Sequence, residues 1–391
     1  MSARRRTAPL RVLGVMTGTS CDGLDAACIE VDANGWQPLW QTSLPYPPDL
    51  RERVFGIQQP GTKVPLKELL ELNRDLGDWY GAAIQKTLSG NRDKPDLIAN
   101  HGQTIAHFPS AGHKGVTLQA GDPTRIASAT QITVTSNFRE GDMAAGGEGA
   151  PLAPMFHQIL GYAISRGNGQ VAIHNLGGIS NLTYIGRDGG VFAFDSGPGN
   201  SWIDAAVARA TQGKKKFDKD GLLATRGTID VKAVKEVLKH PFFRRMPPKS
   251  TGKDDFPFQY FLSKTKSRGN DLIATATAVT VESVALAYER WVIKQGIPLD
   301  SIFFCGGGAK NPAILTPLRR RFKDIRILSL DEMGFDSQFI EAQAFAMLGF
   351  LTLMGTPLGG SWTGAAGFAP PGHIIPGKNW PEVVSKIHSF R

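Results

Sequence analysis

Apolar residues along the chain cluster in short runs, separated by glycine-rich turns and by longer stretches with helical spacing. Arg11 to Met16 reads as a strand, Thr17 to Gly23 as a tight turn of glycine and small hydroxyl residues, and Leu24 to Val31 as the returning strand of a hairpin. The same grammar recurs far downstream. Val171 to His174 runs into the turn Asn175 to Asn181 and returns through Leu182 to Ile185. Two such hairpins point to two copies of one architecture. Two further strands end in glycine-rich turns that lead into helices. Val191 to Phe194 precedes Asp195-Ser-Gly-Pro-Gly-Asn200 and a helix starting near Trp202. Ser301 to Phe304 precedes Cys305-Gly-Gly-Gly-Ala-Lys-Asn311 and a helix containing Leu315 and Leu318. Glu68 to Leu88 and Asp271 to Lys294 carry helical periodicity, and the second, rich in Ala, Val and Thr, predicts a buried helix. The alternation of strands and helices is an α/β pattern. Lys214 to Gly221 and Pro241 to Asp255 read as exposed loops able to carry a mobile lid.

Composition adds exclusions. With 391 residues, 41% hydrophobic and 20% charged, the chain is long enough for two or three domains of ordinary globular character. No uninterrupted apolar run approaches the roughly 20 residues of a membrane helix, and the first ten residues lack a secretory apolar core. No membrane association is expected. Cys21, Cys28 and Cys305 have neither Cys-x-x-Cys nor disulfide-rich spacing, which makes a reducing cytoplasm the expected compartment. The net charge is +9, but Arg4 to Arg6 and Lys214 to Lys216 supply six of those charges. The basicity is therefore local. It lacks the aromatic interleaving of a nucleic-acid stripe, so no nucleic-acid partner is expected and an anionic substrate such as a nucleotide is. Residues 1–9 read as a disordered basic tail.

Glycine-rich turns allow backbone N–H groups to converge without a Cβ in the way, and such nests bind phosphate oxygens. One alone is weak evidence, because tight hairpins favour glycine anyway; four in one chain point to phosphate binding. The P-loop, the Gly-x-Gly-x-x-Gly fingerprint, the Gly-x-Ser-x-Gly elbow and the zinc helix His-Glu-x-x-His are all missing from the sequence. Cys21 sits in a phosphate-type turn without a local histidine and reads as a packing residue. Asp195 ends an apolar strand ahead of Gly-Pro-Gly-Asn, a position that suits a general base acting on a hydroxyl or a water. A helix N-cap or a magnesium-shell ligand are the alternatives.

Seven motifs occur in a recognisable order: Met16-Thr-Gly-Thr-Ser-Cys-Asp-Gly23, Asn100-His-Gly-Gln-Thr104, Asn137-Phe-Arg139, Asp142 to Leu152, Asn175-Leu-Gly-Gly-Ile-Ser-Asn181, Phe194 to Asn200 and Cys305 to Asn311. Together they resemble the anhydro-N-acetylmuramic acid kinases over about residues 11 to 366. The resemblance implies the two-lobe ATPase fold of actin, heat-shock-70 and sugar kinases, with duplicated ribonuclease-H-like lobes and a central ATP cleft. Residues 10–133, completed by 350–391, would form the first lobe, and 134–349 the second. It also implies the reaction: water opens the 1,6-anhydro ring and O6 takes the γ-phosphoryl group of ATP, giving N-acetylmuramic acid 6-phosphate for cell-wall sugar recycling. Asp195 matches the base. Gly18, Thr19, Ser20, Asp22 and Gly23 match the β- and γ-phosphate turn, with Mg²⁺ arriving with ATP and Asp22 a candidate ligand. Asn175, Gly177 and Gly178 match the second phosphate hairpin, and Gly306, Gly307, Gly308 and Asn311 the nucleoside side. Thr104, Arg139, Asp142 and Glu341 match the sugar pocket, although Arg139 could simply pair with Asp142, and Glu341 could be a helix-surface charge. A homodimer is implied as well. Departures from the family pattern are Glu148 in place of an amide, Asn100 in place of a more usual serine, and the tail from Phe368 to Arg391. The sister levoglucosan kinases share these motifs, so 1,6-anhydroglucose is the alternative substrate; a non-catalytic nucleotide-binding module is the alternative from another class.

Overall fold

The computed structural model of the chain describes residues 8–18, 21, 23–59, 61–109, 115–167, 169–251, 255–360 and 362–390. Thr19, Ser20 and Asp22 lie outside the described residues, as do residues 1–7 of the basic tail. Two compact units form: Met1–Phe156 with Glu341–Arg391, and His157–Ile340.

The first unit carries β1 (Leu10–Thr17), β2 (Gly23–Asp32), β3 (Gly35–Pro45), β4 (Leu97–Asn100), the hairpin β5 (Gln103–Phe108) with β6 (Val116–Ala120), and β7 (Thr133–Ser136). The second carries β8 (Val171–Leu176), β9 (Ile179–Ile185), β10 (Val191–Pro198), β11 (Ser301–Cys305) and β12 (Arg326–Ser329). A last strand, β13 (His373–Ile375), returns to the first unit. The first sheet has the order β13-β7-β4-β1-β2-β3 and the second β10-β9-β8-β11-β12. In the first, β1, β2 and β3 form an antiparallel meander, and β4 and β7 join parallel to β1. In the second, β8, β9 and β10 form the meander, and β11 and β12 join parallel to β8. Setting aside β13, the two sheets share one topology, which is the duplicated ribonuclease-H-like plan.

Strand composition follows position. Central β1 is buried on both faces, whereas β3, at the sheet edge, alternates between exposed and half-buried residues. Gly14 of β1 lets the helix Ile340–Met354 lie close, since a Cβ there would strike Ala342 O, and Gly349 of that helix meets Ala99 and Thr135 in turn. This packing corrects the expected lobe boundaries. The helix starting at Ile340 belongs to the first sheet rather than to the second unit. Likewise β7 pairs with β4, so a boundary at 133/134 would cut a strand out of its sheet. The C-terminal tail completes the first unit: β13 pairs with β7, Asn379 Oδ1 accepts from the Thr133 N–H and hydroxyl at 2.9 Å each, and Lys386 pairs with Asp96 at 2.7 Å.

The second unit wraps its core around the helix Gly269–Trp291, against which Trp202, Phe243, Phe256, Phe261 and Phe304 are buried. Residues Gly269–Gln295 are long and apolar enough to cross a membrane by composition, and 78% of that apolar window is buried inside the protein. The helix is apolar on nearly every side because protein surrounds it. The two segments expected to be exposed loops are not uniformly so. Lys214 to Phe217 is exposed, but the Asp218 carboxylate is buried, accepting the N–H groups of Leu223 (2.8 Å) and Ala224 (2.9 Å). In the second segment, Phe242, Phe243 and Lys249 are buried, and residues 252–254 lie outside the described residues.

Candidate active site

The second unit assembles its glycine turns around one side chain. Asn200, at the N-cap position of the helix Ser201–Ala210, donates from Nδ2 to Leu176 O and from its backbone N–H to Gly177 O, both at 2.7 Å. Gly199 N–H donates to Gly178 O at 2.9 Å, which laces the β8–β9 turn to the end of β10. A Cβ on Gly199 would strike Gly177 O, and one on Gly306 would strike Asn175 Oδ1. Gly308 faces Leu176 Cβ at 2.7 Å and Asn200 Oδ1 at 2.8 Å from where its Cβ would be. Asn175, Gly177, Gly178, Gly306, Gly307 and Gly308 therefore converge on Asn200. Above Gly178 a Cβ would find nothing within 4 Å, and above Gly307 only Asn200 Nδ2 at 3.8 Å, so the backbone there is open to close approach. Asn311 acts locally, since its Oδ1 caps the helix Pro312–Arg321 through Ala313 N–H at 2.9 Å.

Beneath this turn runs a buried polar chain. His174 contacts Tyr288 Oη through Nδ1 (3.0 Å) and Ser180 Oγ through Nε2 (2.7 Å), and Ser196 donates to Ser180 Oγ at 2.8 Å. Burial pulls the His174 imidazole down to about 3, so the ring is neutral and accepts at one nitrogen. Ser196 follows Asp195, so the chain reaches the neighbour of the candidate base.

Asp195 sits at a bulge of β10, which is an edge strand, with the register shifting between Asp195 and Gly197. Its N–H donates to Lys249 O at 3.0 Å, and its Oδ2 accepts the Thr251 N–H at 2.8 Å. It is not a helix N-cap, since Asn200 holds that position for the following helix. Lys249 is buried. Its Nζ donates to Phe242 O at 3.2 Å and lies 4.3 Å from the centre of the Phe242 ring. Burial lowers its ammonium to about 8, with Arg290 and Arg245 adding and Asp195 opposing.

In the first unit, Arg139 precedes the short helix Glu140–Ala144 and is directed at His101. Its Nε and Nη2 lie 3.2 and 3.0 Å from His101 Nε2, and Nη1 donates to Gly149 O at 2.8 Å. The direct Arg139–Asp142 pair is thus replaced by a different arrangement. Asp142 spends its carboxylate on Gly149 N–H (2.7 Å) and the Thr363 hydroxyl (2.6 Å), tying the glycine loop to the C-terminal segment. Burial lowers Arg139 to about 10, opposed by Glu341 and Asp142. Burial and the Arg139 charge hold His101 well below its ordinary value, so its Nε2 accepts and its Nδ1 carries the proton. Among the described residues that buried Nδ1 meets no hydrogen-bond partner. Glu341 is exposed at the start of its helix, yet the protein crowding its carboxyl raises its pKa, Arg139 opposing and Asp25 adding. His107, on β5 with Thr104, also feels Arg139, and burial lowers its pKa first. Thr104 is half-buried and its carbonyl accepts Gln58 Nε2 at 2.8 Å.

At the first glycine turn, Gly18 O accepts the Cys21 N–H at 3.1 Å and Gln103 Nε2 at 3.4 Å, while Gly23 opens β2 against Leu44 O. Cys21 is fully buried, in keeping with a packing role. Asn100 ties its own turn, accepting Gly102 N–H and donating to Gly121 O, both at 3.2 Å. Sequence reasoning left His101, His107, Lys249 and Thr251 without roles. His101 lies inside the motif Asn100 to Thr104, and the phenylalanines crowding residues 242 to 261 were the signal that the loop carrying Lys249 is buried.

The family model for anhydro-N-acetylmuramic acid kinase matches residues 10–377. A curated protein of that name from Acidithiobacillus ferrooxidans is 39% identical over 389 residues, covering 97% of this chain and 95% of the relative. Its counterpart in Gloeobacter violaceus is 38% identical over 384 residues, covering 94% and 99%. That of Caldanaerobacter subterraneus subsp. tengcongensis is 37% identical over 365 residues, covering 88% and 91%. With its duplicated fold and converging glycine turns, the chain belongs to the anhydro-N-acetylmuramic acid kinase family.

Proposed function

We propose that the protein is an ATP-dependent carbohydrate kinase that opens the 1,6-anhydro ring of anhydro-N-acetylmuramic acid and phosphorylates O6. The observation carrying this reading is the placement of Asp195 at the bulge of β10, in the unit whose turns at Gly177–Gly178 and Gly306–Gly308 converge on Asn200. The names of the relatives favour the muramic substrate over levoglucosan, and an enzyme over a non-catalytic module.

In this reading the hairpin turn of Asn175, Gly177 and Gly178, open to close approach at Gly178, receives phosphate oxygens of ATP, and Gly306, Gly307 and Gly308, open at Gly307, lie against the nucleoside. Gly18, Thr19, Ser20, Asp22 and Gly23 serve the β- and γ-phosphates, and Asn311 supports the nucleoside side by fixing its helix. Mg²⁺ enters as part of the nucleotide substrate and neutralises phosphate charge, with Asp22 its candidate protein ligand. Among the described residues no cluster of three His, Cys, Asp or Glu side chains is placed to hold a metal. Thr104, Arg139, Asp142 and Glu341 line or shape the sugar pocket. Asp142 does so indirectly, by holding Gly149 and Thr363.

The chemistry is then short. Asp195 takes a proton from water, the water oxygen bonds to the anomeric carbon, and the bond from that carbon to O6 breaks. O6 attacks the γ-phosphorus in line and ADP leaves. The product belongs to cell-wall sugar recycling, for which a cytoplasmic location and a homodimer are part of the same reading. The test is ADP release with Mg-ATP, giving 1,6-anhydro-N-acetylmuramic acid and levoglucosan in parallel. Preference for the first sugar is expected, and Asp195→Asn should abolish release while ATP still binds. Preference for levoglucosan, or full activity of the Asn variant, would overturn the substrate or the mechanism respectively.

A further inference from the structure

We infer that residues 249–251 form a strap that positions the Asp195 carboxylate, with Lys249 as its anchor. The inference rests on Asp195 being the base of the proposed reaction. β10 is the outer strand of its sheet, so the backbone of Asp195 has no neighbouring strand on its outer side within that sheet. The strap supplies a hydrogen-bond partner there instead. Asp195 N–H donates to Lys249 O at 3.0 Å, and two residues on, Thr251 N–H donates to Asp195 Oδ2 at 2.8 Å. One bond fixes the main chain of the base and the other fixes one of its carboxylate oxygens. This matters because the register shifts at Asp195, where a bulge would otherwise leave the side-chain direction poorly determined.

Something must hold the strap itself, and Lys249 does so from below. The residue is only 5% exposed, although lysine is rarely buried. Its ammonium donates to Phe242 O at 3.2 Å and lies over two rings, 4.3 Å from the centre of Phe242 and 5.7 Å from that of Phe194. Phe194 immediately precedes the base. The charges facing this ammonium are Asp195 on β10, Arg290 on the core helix and Arg245 on the loop. Arg290 is itself occupied, donating from Nη1 to Phe243 O at 2.8 Å. An apolar side chain of similar length would fill the same space without the cost of burying a charge. A buried ammonium that feels the Asp195 charge has a role that packing alone does not supply: it pins the strap and favours the ionised carboxylate. Lys249 is a positioning residue, acting on substrate only through Asp195.

The test compares wild type, Lys249→Met, Lys249→Arg and Asp195→Asn in steady-state ADP release with Mg-ATP and 1,6-anhydro-N-acetylmuramic acid, from about pH 5.5 to 9. Lys249→Met keeps the length and apolar stem, and its kcat should fall about 10- to 100-fold. Its KM for ATP should stay unchanged and the acid limb of its kcat profile should move to higher pH. Lys249→Arg should recover part of the lost kcat. A folded Lys249→Met with wild-type kcat and an unmoved acid limb would overturn the strap, and an inactive Asp195→Asn beside it would leave the base intact. An active Asp195→Asn would overturn the base and the strap with it. Should Lys249→Met yield no folded protein, Thr251→Pro decides. It removes the N–H donated to Asp195 Oδ2, so a fall in kcat at constant KM for ATP supports the strap and wild-type kinetics refute it.

Discussion

Acidification should destabilise the second unit well before its carboxylates begin to protonate. His157 and His174 are buried in that unit and held neutral, His157 at about 4 and His174 at about 3, against an ordinary value of 6.5. Each is committed to hydroxyls: His157 to Thr183 at 2.9 Å, and His174 to Tyr288 and Ser180. A folded pKa below the unfolded one means that the unfolded chain binds the extra proton. Stability is therefore full above about pH 6.5 and is lost as pH falls toward the folded values. Between pH 7 and 5 each histidine takes away about 2 kcal/mol, so the two together remove about 4 kcal/mol from a stability of about 5–15. His101 acts in the same sense in the first unit, where the raised carboxyl of Glu341 acts in the opposite sense. Urea unfolding followed by circular dichroism at pH 7, 6 and 5 reads the effect directly. Replacing one histidine, as in His157→Gln, should lower the mean slope of stability against pH by about 1 kcal/mol per pH unit between pH 7 and 5. Equal unfolding free energies at pH 7 and 5, or an unaltered slope in the variant, would refute the reasoning.

Other substitutions separate the roles at the site. Gly199→Ala places a methyl against Gly177 O, which should cost about 1–3 kcal/mol and weaken ATP binding, as thermal melting and nucleotide titration would show. Asp142→Ala leaves Gly149 N–H and the Thr363 hydroxyl without their acceptor, with an expected loss of about 3 kcal/mol; an unchanged melting temperature would contradict the clamp. Chelating Mg²⁺ with EDTA should stop ADP release and excess Mg²⁺ should restore it, whereas turnover in EDTA would remove the metal from the nucleotide substrate.

The duplicated hairpins, the strands that end in glycine turns and the buried Ala-Val-Thr helix were legible because each depends on local pattern. Alternating or continuous apolar runs fix strands, and glycine marks the turns where chain segments approach closely. The lobe boundaries were not legible, because what assigns the helix Ile340–Met354 to the first sheet is a fit between Gly14 and Ala342, more than 300 residues apart. The same is true of the charged core of the site. Arg139 beside Asp142 suggested an ion pair from sequence proximity, but the fold turns the guanidinium toward His101 and gives Asp142 to Gly149 and Thr363.

Lys249 shows most clearly how burial changes a residue's meaning. In a stretch of Pro, Lys, Ser, Thr and Gly, a lysine reads as solvated loop. Phe242, Phe243 and Phe256 around it form a wall that can only be apolar interior. Once that wall is built, the loop's backbone has a fixed course along β10, and Asp195 inherits its orientation from that course. The candidate base is thus set by residues more than fifty positions downstream. Sequence motifs centred on the strand end could name Asp195 as a candidate base, but the residues that hold it in place became visible only in the fold.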